Sequence, residues 1–168
     1  ILDTDKKTII HIPSVNSLAS TKDKYDEVDR IIDIIGELDH QDPETNILFV
    51  KRHIDGKILK IADLVEDKEG REKVVEYLRH IEKVDDLDIL IALGMAKEGF
   101  DWPFCEQALT IGYRGSLTEI VQIIGRCTRD SENKTHAQFT NLIAHPDASN
   151  DQVTTAVNNM LKAITCSL

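Results

Sequence analysis

The amino-acid sequence predicts a layered α/β fold, with a mainly parallel sheet and helices on both faces. Three observations carry that expectation. Short runs rich in β-branched residues alternate with segments whose apolar residues recur at helical spacing. One run, DILIAL at residues 88–93, is almost wholly apolar, as a strand covered on both faces of a parallel sheet must be. Right-handed crossovers between parallel strands then distribute the connecting helices over both faces.

The elements follow in order. Thr8–Ile12 (TIIHI) is a strand ended by Pro13. Tyr25, Val28, Ile31, Ile32, Ile35 and Leu38 stripe a helix, with Asp, Glu and Arg between them. Residues 46–50 form a second strand after the Asp42-Pro43 turn signal, and residues 57–65 a third. Asp55-Gly56 between them reads as a turn, so residues 47–50 and 58–64 predict a hairpin. Val74, Val75, Leu78 and Ile81 stripe a second helix that leads into DILIAL. Residues 94–103 read as a glycine-bearing loop and residues 107–111 as a strand. Leu117, Ile120, Val121 and Ile124 stripe a helix starting at Ser116, where Glu119 completes a capping box. Residues 138–144 are a strand. Val153, Ala156, Val157, Met160, Leu161 and Ile164 stripe a C-terminal helix within residues 149–168, capped by Ser149 or Asn150. No repeat, linker or low-complexity tract interrupts the series, so residues 1–168 are read as one domain.

Composition narrows the function classes. A chain of 168 residues that is 41% hydrophobic can bury a sizeable core without staples. Its periodic Ile, Leu and Val argue against disorder. No apolar run approaches the roughly 20 residues of a membrane span, so no membrane partner is expected. The net charge, 20 − 30 = −10, argues against a basic domain that coats nucleic acid. A local groove can still be basic on an acidic protein. Cys105, Cys127 and Cys166 are too scattered for a disulfide framework, and the histidines form no HxxxH pair. Reduced thiols, no metal site and a cytoplasmic location are expected. The amino end lacks a signal-peptide pattern. The chain opens on Ile1-Leu2-Asp3 without a methionine, as expected of a fragment of a longer chain.

Two stretches carry chemistry. Ligands of open α/β sheets gather at the carboxyl ends of strands, and DILIAL is followed by Gly94-Met95-Ala96-Lys97-Glu98-Gly99-Phe100-Asp101-Trp102-Pro103. Its two glycines let backbone approach a ligand closely, and Asp101 adds an acceptor. A plain glycine-bearing turn with a helix cap is the other reading. The second stretch runs from Gln122 to Arg129 (QIIGRCTR). At about 100° per residue, Gln122, Arg126 and Arg129 share the face opposite the apolar stripe. Gly125 removes a side chain from among them, at a helix cost of about 1 kcal/mol against alanine. Two aligned guanidiniums suit a multiply charged anion such as phosphate. The helix alone is equally compatible with a solvated arginine face.

Together, ALGMAKEGFDWP (residues 92–103) and QIIGRCTR resemble motifs V and VI of the superfamily 2 helicases. Residues 8–17 (TIIHIPSVNS) lie where motif IV opens the second, C-terminal RecA-like domain of that family, and the resemblance spans residues 8–145. The EGFD-W-P wording and YRGSLTEIVQIIGR are more similar to the type I and type III restriction-like DEAD/DEAH branch than to the RNA DEAD-box proteins.

The resemblance implies a three-layer RecA-like domain that closes over ATP held by a first such domain. Arg126 and Arg129 match the arginine fingers and are the candidate catalytic residues. Gln122 matches the residue that touches the γ-phosphate or the partner domain. Gly99 and Asp101 match positions lining the nucleotide cleft, where Asp101 bonds the ribose or positions an arginine. Candidate nucleic-acid contacts are the main chain of Gly94 and Met95 and the side chains of Lys97 and Arg114, with Lys51-Arg52 as further phosphate contacts. Trp102 either stacks on a base or anchors the motif V loop in the core.

ATP and Mg2+ are the implied cofactors of the full-length protein, with none held tightly by this chain. The implied partners are the N-terminal RecA-like domain of the same chain and DNA or RNA, with DNA favoured. Two departures stand out. The chain has no GxxxxGK[ST] and no DExD/H box, and Leu93-Gly94 replaces the Thr-Asp pair frequent in motif V. The alternative function is a non-catalytic RecA-like interaction module that kept the fold but lost the motor.

Overall fold

In the computed structural model, the described residues are 2–13, 20, 23–65, 68–93, 101–112, 117–132, 134–142 and 150–167. The expected capping residues Ser116 and Ser149 lie outside them.

Among the described residues, seven strands form one sheet in the order β2-β3-β4-β5-β1-β6-β7. They are β1 (Thr8–Ile12), β2 (Gly36–Gln41), β3 (Leu48–Arg52), β4 (Ile58–Asp63), β5 (Ile89–Leu93), β6 (Gln107–Ile111) and β7 (Gln138–Leu142). Strand β1 is central and pairs in parallel with β5 and β6. The β4–β5 and β6–β7 pairs are also parallel, whereas β2, β3 and β4 form an antiparallel meander at one edge. The helices are α1 (Lys24–Ile35), α2 (Lys68–Arg79), α3 (Leu117–Cys127) and α4 (Asn150–Ser167), and a short 3₁₀ turn lies at Val84–Asp86.

The core divides by the alternation of side chains along each strand. Ile9, Ala62, Leu90, Ala92 and Ala108 point to one face, where they meet Val74 and Leu78 of α2 and Ile123 and Cys127 of α3. Ile10, Ile12, Ile61, Ile89, Ile91 and Leu109 point to the other, against Val28, Ile32 and Ile35 of α1. The central strands therefore read as unbroken apolar runs because both faces are covered. Helix α4 lies against α3.

Local chemistry sets the element ends. The Asp23 carboxylate caps α1 by accepting from Tyr25 N at 2.9 Å and Asp26 N at 3.3 Å. Helix α1 stops at Gly36, where a Cβ would come within 2.2 Å of the Lys51 carbonyl oxygen. The chain turns straight into β2 there, so Leu38 lies on a strand and not on the helix predicted for it. The predicted hairpin is present. Gly56 adopts φ 75°, and the Asp55 carboxylate accepts from Lys57 N at 3.1 Å and from the Arg52 guanidinium. Arg52 also donates to Asp5 at 2.7 Å and to Thr4 at 2.9 Å, which fastens the hairpin to the amino-terminal segment. Its guanidinium is buried in these bonds, so the expected phosphate contact at Arg52 is replaced by a structural one.

Candidate functional site

Helix α3 carries the site because its burial pattern turns one side inward and one outward. Ile120, Ile123, Ile124 and Cys127 are buried, whereas Gln122 and Gly125 are exposed and Arg126 is half-buried. The inward stripe is rotated from the expected one, with Ile123 and Cys127 inside and Val121 only partly buried. The helix ends at Cys127, and Thr128 closes it by donating through N–H and Oγ1 to the Ile124 carbonyl at 3.0 and 3.1 Å. Arg129 therefore stands one residue past that turn and not on the helix, as the spacing argument had placed it.

Gln122, Gly125, Arg126 and Arg129 nevertheless line one cavity of about 310 Å³, together with Ile9, Asp101 and Trp102. Ile9 supplies apolar floor from β1. Trp102 is 3% exposed and packs in the same core cluster as Cys105 and Ile123, so it anchors this wall in the core; base stacking is not the role its burial serves. An ideal Cβ on Gly125 would meet nothing within 4 Å, so the glycine keeps space open and does not relieve crowding.

The two walls are joined by polar bonds. Arg129 Nη1 donates to Asp101 Oδ2, and both side chains are 56% exposed. Lys134 Nζ donates to the Pro103 carbonyl at 3.3 Å and also to the Arg129 carbonyl. Burial, reinforced by the neighbouring Arg129 charge, lowers the pKa of Arg126 below the ordinary guanidinium value, while Asp101 opposes the shift. A partly desolvated guanidinium beside a second one is a setting that an incoming anion would relieve.

The cavity's place in the fold differs from the expected one. Residues 101–106 lead into the amino end of β6, and α3 returns from its carboxyl end. Ile9 pairs with Ala108, the second residue of β6. The cavity thus lies over the sheet face near the amino ends of β1 and β6, and not beyond the carboxyl ends of the strands. Of the predicted site residues, Asp101, Gln122, Arg126 and Arg129 come together. Gly94, Met95, Lys97, Gly99 and Arg114 lie outside the described residues. Ile9 and Lys134 were not singled out from the sequence. An isoleucine within a buried strand and a lone loop lysine carry no motif that would mark them.

Among the described residues, no group of three or more His, Cys, Asp and Glu is placed to hold a metal ion. No helix among them is long and apolar enough to cross a membrane. Cys105 and Cys127 are buried and form no disulfide.

No protein-family model matches the chain. Over all of its residues it is 74% identical to a Bacillus subtilis protein named "Putative ATP-dependent helicase YeeB", and it spans 28% of that protein's length. Among solved structures, 95% of the chain superposes with a TM-score of 0.54 and 15% identity on 10% of the "ATP-dependent Type ISP restriction-modification enzyme LlaBIII bound to DNA". A second match, domain 2 of the DEAD-box helicase Mss116p bound to an RNA duplex, has a TM-score of 0.49 and 14% identity, over 94% of this chain and 58% of that one. The LlaBIII superposition shows a shared fold, here the α/β RecA-like one. The expected resemblance to a helicase agrees with the homologue's name, and the expected α/β fold with the superposition.

Proposed function

We propose that this chain, a homologue of a helicase-named protein with a RecA-like fold, is the second motor domain of a nucleic-acid-dependent ATPase. In this reading it supplies arginine fingers to ATP held by a first RecA-like domain. The observation that carries the proposal is the convergence of Gln122, Gly125, Arg126, Arg129 and Asp101 on one cavity.

ATP, when bound between the domains, supplies the phosphoanhydride to be cleaved. The residues of this chain act on the charge that cleavage develops. Arg126 and Arg129 present rigid forks of N–H donors to the γ-phosphate oxygens, and fingers of this kind contribute about 10³–10⁵ in rate. Asp101 engages Arg129 through one nitrogen, and a guanidinium has five N–H donors. The ion pair can therefore aim the side chain while other donors meet phosphate. Gln122 adds a neutral donor on the same wall. The donor set fits phosphate and does not fit magnesium, because the one carboxylate among the described lining residues is paired with Arg129. Magnesium would fall to the first domain. Nucleic acid would be held across both domains mainly through its phosphates, so its affinity falls with salt.

The test is steady-state ATP turnover, with DNA and with RNA, by the complete polypeptide that carries this domain. Arg126→Ala and Arg129→Ala should each lower kcat by about 10³-fold or more without moving the thermal midpoint. Lysine at either position should restore little, because the bidentate fork is lost. Near-normal turnover in both alanine variants rejects the motor reading in favour of an interaction module.

A further inference from the structure

Arg129 poses a mechanical question. A finger on a helix is aimed by the helix, but α3 ends at Cys127, and Arg129 lies in the irregular segment that leads to β7. A catalytic group must be held to a fraction of an ångström to be effective. Something other than helical backbone has to hold it.

Two contacts do so. Asp101 takes the guanidinium. The Lys134 ammonium takes the main chain, by donating to the carbonyl of Arg129 itself. The same ammonium donates to the Pro103 carbonyl at 3.3 Å, two residues beyond Asp101. Lys134 is itself steadied by its N–H, which donates to the Ser131 carbonyl at 3.2 Å. One ammonium thus fastens the backbone of the finger to the segment that carries the finger's own carboxylate partner.

We propose that Lys134 is a positioning residue for Arg129, setting where the finger stands by tying its carbonyl to that of Pro103. The role rests on the motor reading above. It touches no substrate, so its loss should act on the rate of the chemical step and not on nucleotide affinity.

The experiment uses the complete ATPase polypeptide, with Lys134→Gln, Lys134→Met, Lys134→Arg, Arg126→Ala, Arg129→Ala and the Lys134→Gln/Arg129→Ala double variant. Lys134→Gln should lower kcat by about 10- to 100-fold and leave KM for ATP within about twofold. Lys134→Arg, which can still donate to both carbonyls, should recover most of the rate. The double variant should be no slower than Arg129→Ala alone, because residues acting through one another are not additive.

Wild-type kcat in Lys134→Gln, with both arginine variants dead, overturns the positioning role and leaves the motor reading standing. Near-normal turnover in both arginine variants overturns the motor reading, and the positioning role with it. Lys134→Met keeps the aliphatic stem and replaces Lys134→Gln if the latter fails to fold. Loss of cooperative unfolding in both makes Lys134 a structural residue and also overturns the proposal.

Discussion

Two ion pairs of this chain look alike in chemistry and differ in setting. Lys7 and Asp88 meet at 2.7 Å with side chains only 9% and 12% exposed, and Asp88 also accepts from Lys60 N at 2.8 Å. Arg129 and Asp101 meet where both are 56% exposed. Removing one partner of a buried pair leaves a desolvated charge and costs about 3–5 kcal/mol, whereas an exposed pair contributes about 0–1 kcal/mol. Lys7→Met should therefore lower the unfolding free energy by about 3 kcal/mol or more. Asp101→Ala should lower it by less than about 1 kcal/mol. Urea titrations of the two variants check this, and equal losses would contradict the burial argument. The first pair is buried in the fold and the second lines the candidate cavity, a distinction that residue types alone do not carry. The cysteines follow the same logic. Burial pushes the Cys105 thiol up to about 12 and raises that of Cys127, so both are poor nucleophiles in the folded protein.

Among the elements, α3 concentrates the link between packing and function. Gly125 lies inside it, where alanine would favour the helix by about 1 kcal/mol, and a Cβ there meets nothing within 4 Å. Gly125→Ala should raise the midpoint of chemical unfolding and, under the proposed motor reading, lower kcat for ATP in the complete polypeptide by filling the wall between Gln122 and Arg126. A variant that is stabler and equally active would remove Gly125 from the site. The helix was legible in the sequence because Leu117, Ile120, Val121 and Ile124 recur at its period, although the buried stripe is turned toward Ile123 and Cys127. Its end was not. No proline or glycine follows Cys127 directly, and the terminating bonds from Thr128 to the Ile124 carbonyl belong to a residue type equally at home in a helix surface. At Gly36 the same limit applied to α1. Ile32, Ile35 and Leu38 keep helical spacing across the boundary, but Gly36 is extended and already pairs with Arg52, beside a Lys51 carbonyl that a Cβ would strike.

For the whole molecule, two core clusters on opposite faces of one sheet should let the 168-residue chain fold alone and unfold cooperatively. We predict that it then hydrolyses no ATP above background with magnesium and nucleic acid present, since the proposed site is one wall of two. Magnesium-dependent turnover by the purified chain that is lost on Arg126→Ala would overturn this. The sequence by itself determined the alternation of strands and helices, the double-sided burial of the central strands, the hairpin, and the shared outward side of Gln122 and Arg126 on α3. Each follows from periodicity or turn chemistry within a dozen residues. Tertiary structure alone decided that the meander has a third strand, that the cavity lies over the sheet face near its amino ends, and that Asp101 and Lys134 hold Arg129 beyond its helix. Those outcomes depend on contacts between segments distant along the chain, such as Arg129 with Asp101 and Gly36 with Lys51, and no local pattern of residues encodes the partner.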